Sequence, residues 1–313
     1  MAITVKIDEF AELMGIIAYF GGQNSYKNNY TKEIDKYFAL YKKHQIVKKV
    51  KLLDIDKWIS LALLLEYKRG SFVLRKKEPF LDNSDEILKL LADFYKTTSF
   101  HKFFRQQARF YDEACAEFEK EVCSLNEEWF KSFFGDFEQG DFSVISIPVL
   151  NRFILSSKNE TIVGECSDNI LSVIRLFCHI FINPLLYNSD KRQKILQPCA
   201  VRLLEFSKWS MQQQGFGDWR VLINEYLVRA VANVYMQENR FTKQAVRDDI
   251  VENVGRGFYL MPELVGYLNK YRYCRDKFKT FGEFYFEVAR YLSAHIEKEI
   301  KRVDDVVSVI LEV

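Results

Sequence analysis

The sequence is short of the residues that mark several common classes of protein. Its 313 residues include five prolines and six cysteines, and no two cysteines have the C-x-x-C spacing of a structural zinc or redox site. Neither sign of charge predominates, because the chain has 45 basic and 43 acidic residues, for a net charge of +2. This balance gives no reason to expect nucleic acid or an anionic membrane as a partner.

Long apolar runs are also missing. No stretch approaches the roughly 20 apolar residues that a bilayer-spanning helix needs, so we expect no membrane-spanning segment. The opening residues, MAITVKIDEF, lack the basic start, apolar core and small-residue cleavage site of a signal peptide. Aromatic residues, by contrast, are plentiful: 27 Phe and 17 Tyr, many of them adjacent. Within helical patterns, these aromatic residues predict helices that pack through large aromatic side chains, and an aromatic substrate groove is the alternative.

The pattern predicts an α+β chain that is predominantly helical, in a single domain covering residues 1–313. The helical first half covers about 1–136, and a small mixed sheet at about 141–165 precedes further helices within about 137–313. Three runs predict two or three strands: FSVISIPVL, RFILSS and NETIVGE. Pro148 argues against an uninterrupted central strand there. Helices are predicted over residues 8–20, 31–44, from 83, 100–122, 126–134, 168–182, 190–213, 218–237, 242–254, 262–273 and 280–300.

Finer signals set some of the predicted ends. Thr31 is a candidate N-cap, and Asn83 with Glu86 and Thr280 with Glu283 have the spacing of capping boxes. The tail VDDVVSVILEV suits either a strand or the end of a helix.

The stretch ILSVIRLFCHIFINPLLYN, residues 170–188, is apolar almost all round, which predicts a buried helix. Arg175 and His179 are four residues apart in it and therefore lie on one face. Asn183 and Pro184 are predicted to end this helix.

This stretch resembles the active-site helix of the zincin-like family known as domain of unknown function 4932, which typically reads HExxH followed by Asn-Pro. In HExxH, two histidines one helical turn apart bind zinc, and the glutamate is the general base for the metal-bound water. NEYLVRA (224–230) and GRGFYLMPELVGYL (255–268) are similar to later family stretches, so the resemblance spans nearly the whole chain. It implies a zincin-like metallopeptidase architecture, a zinc cofactor in intact relatives and an exported bacterial protein.

The chain departs from this motif at the positions that carry the chemistry. Arg175 stands at the first metal-histidine position, and Leu176 stands at the general-base position. Of the ligand set that the resemblance implies, His179 and Glu225 remain. Catalytic zinc sites usually have three protein ligands, so we expect no bound zinc. Leucine cannot accept a proton, and we therefore expect no water-activated peptide hydrolysis of the usual kind.

The same geometry suggests a replacement for the metal. If His179 and Glu225 still converge, the carboxylate needs a partner, and Arg175 on the same helix face offers a bidentate guanidinium. We therefore predict an ion pair between Arg175 and Glu225. An intrahelical pair between Glu225 and Arg229, four residues on, is the structural alternative.

Further residues are weaker candidates. Cys178 adjoins His179, but neighbouring helix residues diverge, so packing is the better interpretation of this cysteine. Cys166 could approach His179, though no spacing requires it. Arg256 and Tyr259 could line a cleft, and the alternative for them is loop charge and aromatic packing beside Pro262 at the start of a helix.

Two classes of function stay open at this point. The first is a non-catalytic relative of the metallopeptidases that binds a peptide or protein, or serves as a scaffold. The second is an active hydrolase that uses a non-standard metal site or other catalytic residues. We favour the first, because no alternative nucleophile–base pair or metal cluster stands out elsewhere in the sequence.

Overall fold

A computed structural model describes residues 3–23, 27–76, 84–135, 142–156, 161–165, 170–214 and 216–311. The chain separates into two compact units. The first consists of Met1–Ser124 and Gln139–Ser172, and the second of Leu125–Glu138 and Val173–Val313. This division differs from the predicted halves, because the helix at about 126–134 falls in the second unit and the sheet falls in the first.

The protein is predominantly helical with a small mixed sheet, as the pattern predicted. Its elements, in chain order, are β1 (Ile3–Ile7), α1 (Glu9–Phe20), α2 (Asn29–Tyr37), a 3-10 helix (Ala39–Tyr41), α3 (Gln45–Val50), α4 (Ile55–Ser60), a 3-10 helix (Leu61–Leu64), β2 (Leu65–Lys68), β3 (Ser71–Leu74), α5 (Ser84–Thr97), α6 (Phe100–Gln106), α7 (Ala108–Cys123), α8 (Glu127–Phe134), β4 (Phe142–Ile147), a 3-10 helix (Pro148–Leu150), β5 (Arg152–Ser156), β6 (Thr161–Glu165), α9 (Ile170–Tyr187), α10 (Asp190–Phe206), α11 (Lys208–Gln213), α12 (Trp219–Glu238), α13 (Lys243–Gly255), α14 (Met261–Leu268), a 3-10 helix (Asn269–Cys274) and α15 (Phe281–Leu311).

The sheet of the first unit has the order β1-β4-β5-β6. Strand β1 runs parallel to β4, and the other two pairings are antiparallel. Strands β4, β5 and β6 are the three that the sequence predicted, and Pro148 ends β4 by starting a 3-10 helix. Strand β1 and the β2–β3 hairpin were missed. Pairing of β1 with β4 joins residues that are far apart in sequence, and local patterns carry no trace of such a partner.

Helix α1 is the centre of the first unit. Asp8 caps it by accepting hydrogen bonds from the amides of Phe10 and Ala11. Gly15 lets it approach the end of β4, since a Cβ at this position would lie 2.5 Å from Cγ2 of Ile147. Around α1 the side chains pack as the aromatic content predicted: Phe38, Phe94, Phe100 and Phe103 are all fully buried and in ring contact.

A carboxyl group is buried in this core. Glu12 is 0% exposed, and its Oε1 accepts a hydrogen bond from the Tyr30 hydroxyl at 2.7 Å. The Tyr30 hydroxyl also lies 2.7 Å from that of Tyr111. Burial raises the pKa of Glu12 to about 8, and hydrogen bonds from Tyr30 and the Val149 main chain only partly offset this rise.

Three predicted helix boundaries in the first unit need correction or fall outside the described chain. Asn28, not Thr31, caps α2, and Thr31 completes a capping box as its third residue. The helix predicted over 100–122 is two helices with a break at Gln107. Asn83 lies outside the described residues, and α5 is described from Ser84.

In the second unit, α9 continues past Pro184, so the prediction that Asn183 and Pro184 end it is wrong. A proline inside a helix removes one main-chain hydrogen bond, and burial of the apolar turns on either side outweighs this loss. Of the described helices, α9 alone is long and apolar enough to cross a bilayer by length and composition, but half of that window is buried inside the protein. A core helix has this property.

Helix α12 is buried nearly all round and contacts α10, α13 and α14. Its buried polar residues are Asn224, Arg229 and Asn233. Near the end of the chain, the Thr280–Glu283 capping box is confirmed, and the tail continues α15 as a helix to Leu311.

Candidate functional site

The two presumed ligand positions lie side by side in the second unit. His179 on α9 places its Nε2 3.1 Å from Oε1 of Glu225 on α12. Their side chains are 19% and 15% exposed, so the pair is largely shielded from water. The two side chains therefore meet, which was the condition for the ion pair that the sequence suggested.

Arg175, one turn before His179, has a different partner from the predicted one. Its Nη2 lies 2.5 Å from Oδ1 of Asp249 on α13, and the predicted pair with Glu225 is wrong. The Asp249 side chain is 5% exposed, and its other donors, Asn233 and Asn253, are neutral amides, so this buried carboxylate needs a cation, whereas Glu225 already has Arg229. The charge of Arg175 still acts on Glu225 through space.

Arg229 supplies the second donor to Glu225. Its Nε lies 3.1 Å from Oε2 of Glu225, which confirms the intrahelical alternative. Its Nη1 donates to Oδ1 of Asn253 at 2.8 Å, and its guanidinium lies 4.5 Å from the centre of the Phe258 ring. Both oxygens of Glu225 therefore already accept a hydrogen bond from a nitrogen donor.

Asp249 joins the two halves of this network, and sequence reasoning missed it. Besides Arg175, it accepts hydrogen bonds at Oδ2 from Asn233 at 2.6 Å and from Asn253 at 2.9 Å. Both asparagines are buried. The signal in the sequence was the four-residue spacing of two polar pairs, Arg229 with Asn233 and Asp249 with Asn253, which puts each pair on one helix face.

The second nitrogen of His179 is also occupied. Its Nδ1 lies 3.2 Å from Oδ1 of Asn183, and this oxygen accepts a further hydrogen bond from Asn224 at 3.3 Å. Because α9 continues through Pro184, Asn183 stays on the helix face below His179. The imidazole thus has a protein partner on each side, and neither nitrogen is left to hold a metal or to take a proton from a nucleophile.

The charges of the network keep Glu225 ionised. Burial alone would raise its pKa, but the neighbouring His179 charge and hydrogen bond, with Arg229 and Arg175, outweigh burial and lower the pKa to about 2. For Arg229 burial prevails and lowers the pKa below its ordinary value, with repulsion from Arg175 and Arg256 adding to it.

Leu176 and Cys178 are core side chains. Leu176, at the general-base position of the motif, is 1% exposed and has no group that could accept a proton. Cys178 is fully buried, and burial raises the pKa of its thiol far above the ordinary range, so a thiolate nucleophile is disfavoured. Cys166 lies outside the described residues.

Arg256 and Tyr259 follow α13. The Arg256 guanidinium is half-exposed and pairs with Glu252 at 2.6 Å, and its main-chain carbonyl accepts a hydrogen bond from Gln214. The Tyr259 ring meets Phe206 edge to face. Pro262 lies in the first turn of α14, as predicted. The contacts made by Arg256 and Tyr259 are those of loop charge and aromatic packing.

The residues present do not fit a catalytic zinc ion. Within the described ranges, no three His, Cys, Asp or Glu side chains come together in the way that metal ligands do. His179 and Glu225 are bonded to each other, and two guanidinium groups, those of Arg175 and Arg229, extend to the carboxylates of the same cluster. A divalent cation there would meet two fixed positive charges with only two ligands.

The comparisons with known proteins bear on this part of the chain. No curated protein and no solved structure matches the chain significantly. One family model matches residues 161–291, which is less than half of the chain and less than the sequence motifs led us to expect. The matched residues run from β6 into α15 and include α9, α12 and α13. Residues 161–291 match the model of the family described as Domain of unknown function (DUF4932).

Proposed function

We propose that this protein is a non-catalytic relative of the zinc metallopeptidases, which acts by binding a peptide or protein or as a scaffold. The proposal rests on the motif resemblance and on the two substitutions within it, Arg175 and Leu176. The observation that carries it is the pairing of Glu225, whose two oxygens each lie 3.1 Å from a side-chain nitrogen, one of His179 and one of Arg229.

In this proposal an ion-pair network performs the structural task of the metal in intact relatives. A zinc ion would join α9 to α12 through its ligands. Here His179 and Glu225 join α9 to α12 directly, and Arg175 and Asp249 join α9 to α13. Partly buried pairs of this kind can fix the relative geometry of the helices they join, and here they do so although Nε of Arg175 and Oδ1 of Asn233 have no hydrogen-bond partner among the described residues. The helices would remain positioned without a metal, while the chemistry of activated water would be lost.

The metal content and hydrolysis of the purified protein test the catalytic half of the proposal. Protein expressed with added zinc should hold close to none, and it should not hydrolyse a mixed peptide library in a chelator-sensitive manner. The double variant Arg175→His, Leu176→Glu restores the motif and is the matched comparison. One zinc per wild-type chain, lost on His179→Ala, would overturn the proposal and return a hydrolase with a non-standard metal site to first place.

The binding half needs a separate experiment. Peptides selected from a displayed library should bind the wild-type protein, with affinity reduced by Arg256→Ala or Tyr259→Ala if these residues line the binding cleft. The variant Arg202→Ala removes another exposed arginine that pairs with a glutamate, and it serves as the control. Selected peptides that bind all three variants equally would place the binding surface elsewhere.

A further inference from the structure

Two leucines project from the first unit. Leu40, in the 3-10 helix Ala39–Tyr41, is 91% exposed, and Leu52, just after α3, is 89% exposed. Leu40 precedes the start of α3 by five residues and Leu52 follows its end by two, and the six residues of α3 make it about 9 Å long at 1.5 Å per residue. Single exposed leucines are ordinary on protein surfaces, so the charges between these two decide what they mean.

The charges between them have one sign. Residues 36–53 contain six lysines and neither aspartate nor glutamate. Lys43, Lys48 and Lys51 are exposed, and none of the three forms an ion pair with a residue that the structure describes. We refer to Leu40, Lys43, Lys48, Lys51 and Leu52 as the lysine–leucine surface.

Three nearby acidic side chains pair with other basic residues of this segment: Asp35 with Lys42 at 2.6 Å, Glu86 with Lys49 at 2.7 Å, and Asp93 with His44 at 3.0 Å. Asp54, which follows the segment, caps α4 through the amides of Asp56 and Lys57. Lys43, Lys48 and Lys51 therefore outnumber the one adjacent carboxylate that has no cationic partner among the described residues, although the chain as a whole is close to neutral.

The backbone holds the lysine–leucine surface in a defined orientation. Ile46, Val47 and Val50 bury one face of α3, which contacts α1 and α5. Lys48 is exposed on the opposite side of α3, and Leu52 lies in the turn two residues after the helix ends. His44 caps the start of α3 by accepting a hydrogen bond from the Ile46 amide.

We propose that the lysine–leucine surface docks the protein on an anionic lipid bilayer. Leu40 and Leu52 enter the boundary between headgroups and acyl chains, and the three lysine ammonium groups lie among the lipid phosphates. Projecting leucines suit penetration into a fluid layer, whereas an apolar groove would suit a peptide. Lysine ammonium groups are point charges without a fixed bidentate geometry, which suits mobile headgroups better than ordered carboxylates. The balanced net charge of the whole chain gave no reason to expect an anionic membrane as a partner, and this local cluster of lysines changes that expectation.

Vesicle sedimentation with the full chain tests the inference. We expect binding to vesicles of phosphatidylcholine with about 30% phosphatidylserine, little binding to phosphatidylcholine alone, and loss of binding as salt rises. Replacing all three lysines in Lys43→Gln, Lys48→Gln, Lys51→Gln should lower the partition coefficient about a hundredfold, at roughly fivefold per lysine. The double variant Leu40→Ser, Leu52→Ser should lower it at least about tenfold with the charge unchanged.

A matched variant controls for net charge. Lys194→Gln, Lys208→Gln, Lys243→Gln removes three exposed lysines of the second unit, and its vesicle binding should remain within about twofold of the wild type. Equal losses in the two triple variants, or no vesicle binding by the wild type, would overturn the proposal. Binding to soluble polyglutamate that needs the lysine–leucine surface, without vesicle binding, would also overturn it and indicate an acidic protein partner. Circular dichroism establishes that each variant is folded.

Discussion

Glu12 in the first unit and Glu225 in the second are both shielded carboxyl groups on apolar helices, and their pKa values move in opposite directions. Tyrosine hydroxyls surround Glu12, and burial raises its pKa to about 8. Glu225 has His179 and Arg229 on its two oxygens, and their charges overcome burial and lower its pKa to about 2. The two residues differ in their partners. Hydrogen bonds from neutral hydroxyl groups do not offset the cost of burying a charged carboxylate, whereas neighbouring cations do.

Of the substitutions that test this comparison, Glu12→Gln has the largest expected effect on stability. The folded protein keeps a proton on Glu12 that the unfolded chain loses, so the free energy of unfolding of the wild type should fall as pH rises from 4.5 to 8. The full fall corresponds to about 5 kcal/mol for a pKa raised by this amount. The glutamine variant should lack this fall and be more stable than the wild type at pH 8.

Urea unfolding followed by circular dichroism at pH 5 and pH 8 measures the difference. Glu252→Gln is the control, since it changes an exposed glutamate whose partner is Arg256, an arginine that keeps its charge throughout this pH range. Parallel profiles for wild type and Glu12→Gln would mean that water or a cation reaches Glu12 in solution.

The second test removes a charge from the network of the second unit. Asp249→Leu leaves the Arg175 guanidinium unpaired, which should cost about 4 kcal/mol of unfolding free energy. The double variant Arg175→Leu, Asp249→Leu should lose less, because no unpaired guanidinium remains, and its remaining loss comes from the hydrogen bonds that Asn233 and Asn253 donate to Asp249.

A double-mutant cycle measures the coupling between these two residues. The same cycle on the exposed pair Glu252 and Arg256, both of which are half-exposed or more, should give a coupling below about 0.5 kcal/mol. A coupling between Arg175 and Asp249 as small as that of the exposed pair would contradict the role given to the network.

The smallest of the three effects is expected on the acid side. The depressed pKa of Glu225 gives stability that is present above its unfolded pKa and is lost as pH falls through about 2. The wild type should lose about 3 kcal/mol between pH 4.5 and pH 2 from this group, and Glu225→Gln should lack that loss. Thermal unfolding in this pH range, with Glu12→Gln as the unaffected control, provides the measurement. An unchanged acid limb in Glu225→Gln would show that other carboxylates dominate it.

Local sequence patterns predicted part of the candidate site. The apolar run around His179 predicted a buried helix, and a spacing of four residues predicted the Glu225–Arg229 pair, because both follow from the period of one helix. The pairing of Arg175 with Asp249 did not follow, since these residues are 74 positions apart on different helices. The sequence-based prediction paired Arg175 with Glu225 because the resemblance placed both at the presumed zinc position, whereas the partner of Arg175 is the more deeply buried carboxylate of Asp249.

The same limit holds for the fold. Strands β4 to β6 could be predicted from short runs of β-branched or apolar residues, whereas β1 can be recognised as a strand only from its pairing with β4. Asn183 and Pro184 were interpreted as a helix end, and α9 continues because its flanking turns are buried. Each miss is a case in which burial by distant residues outweighs a local preference.

Composition and periodicity by themselves determined that this protein is mainly helical and that its aromatic side chains pack between helices. These are properties of residue type and spacing along one element. The tertiary structure decided which charges meet. It paired Asp249 with Arg175, placed Glu12 among tyrosines, and left Lys43, Lys48 and Lys51 without ion-pair partners among the described residues of a chain of net charge +2. Electrostatic energy depends on distance in space and on burial, and neither is a function of position along the chain.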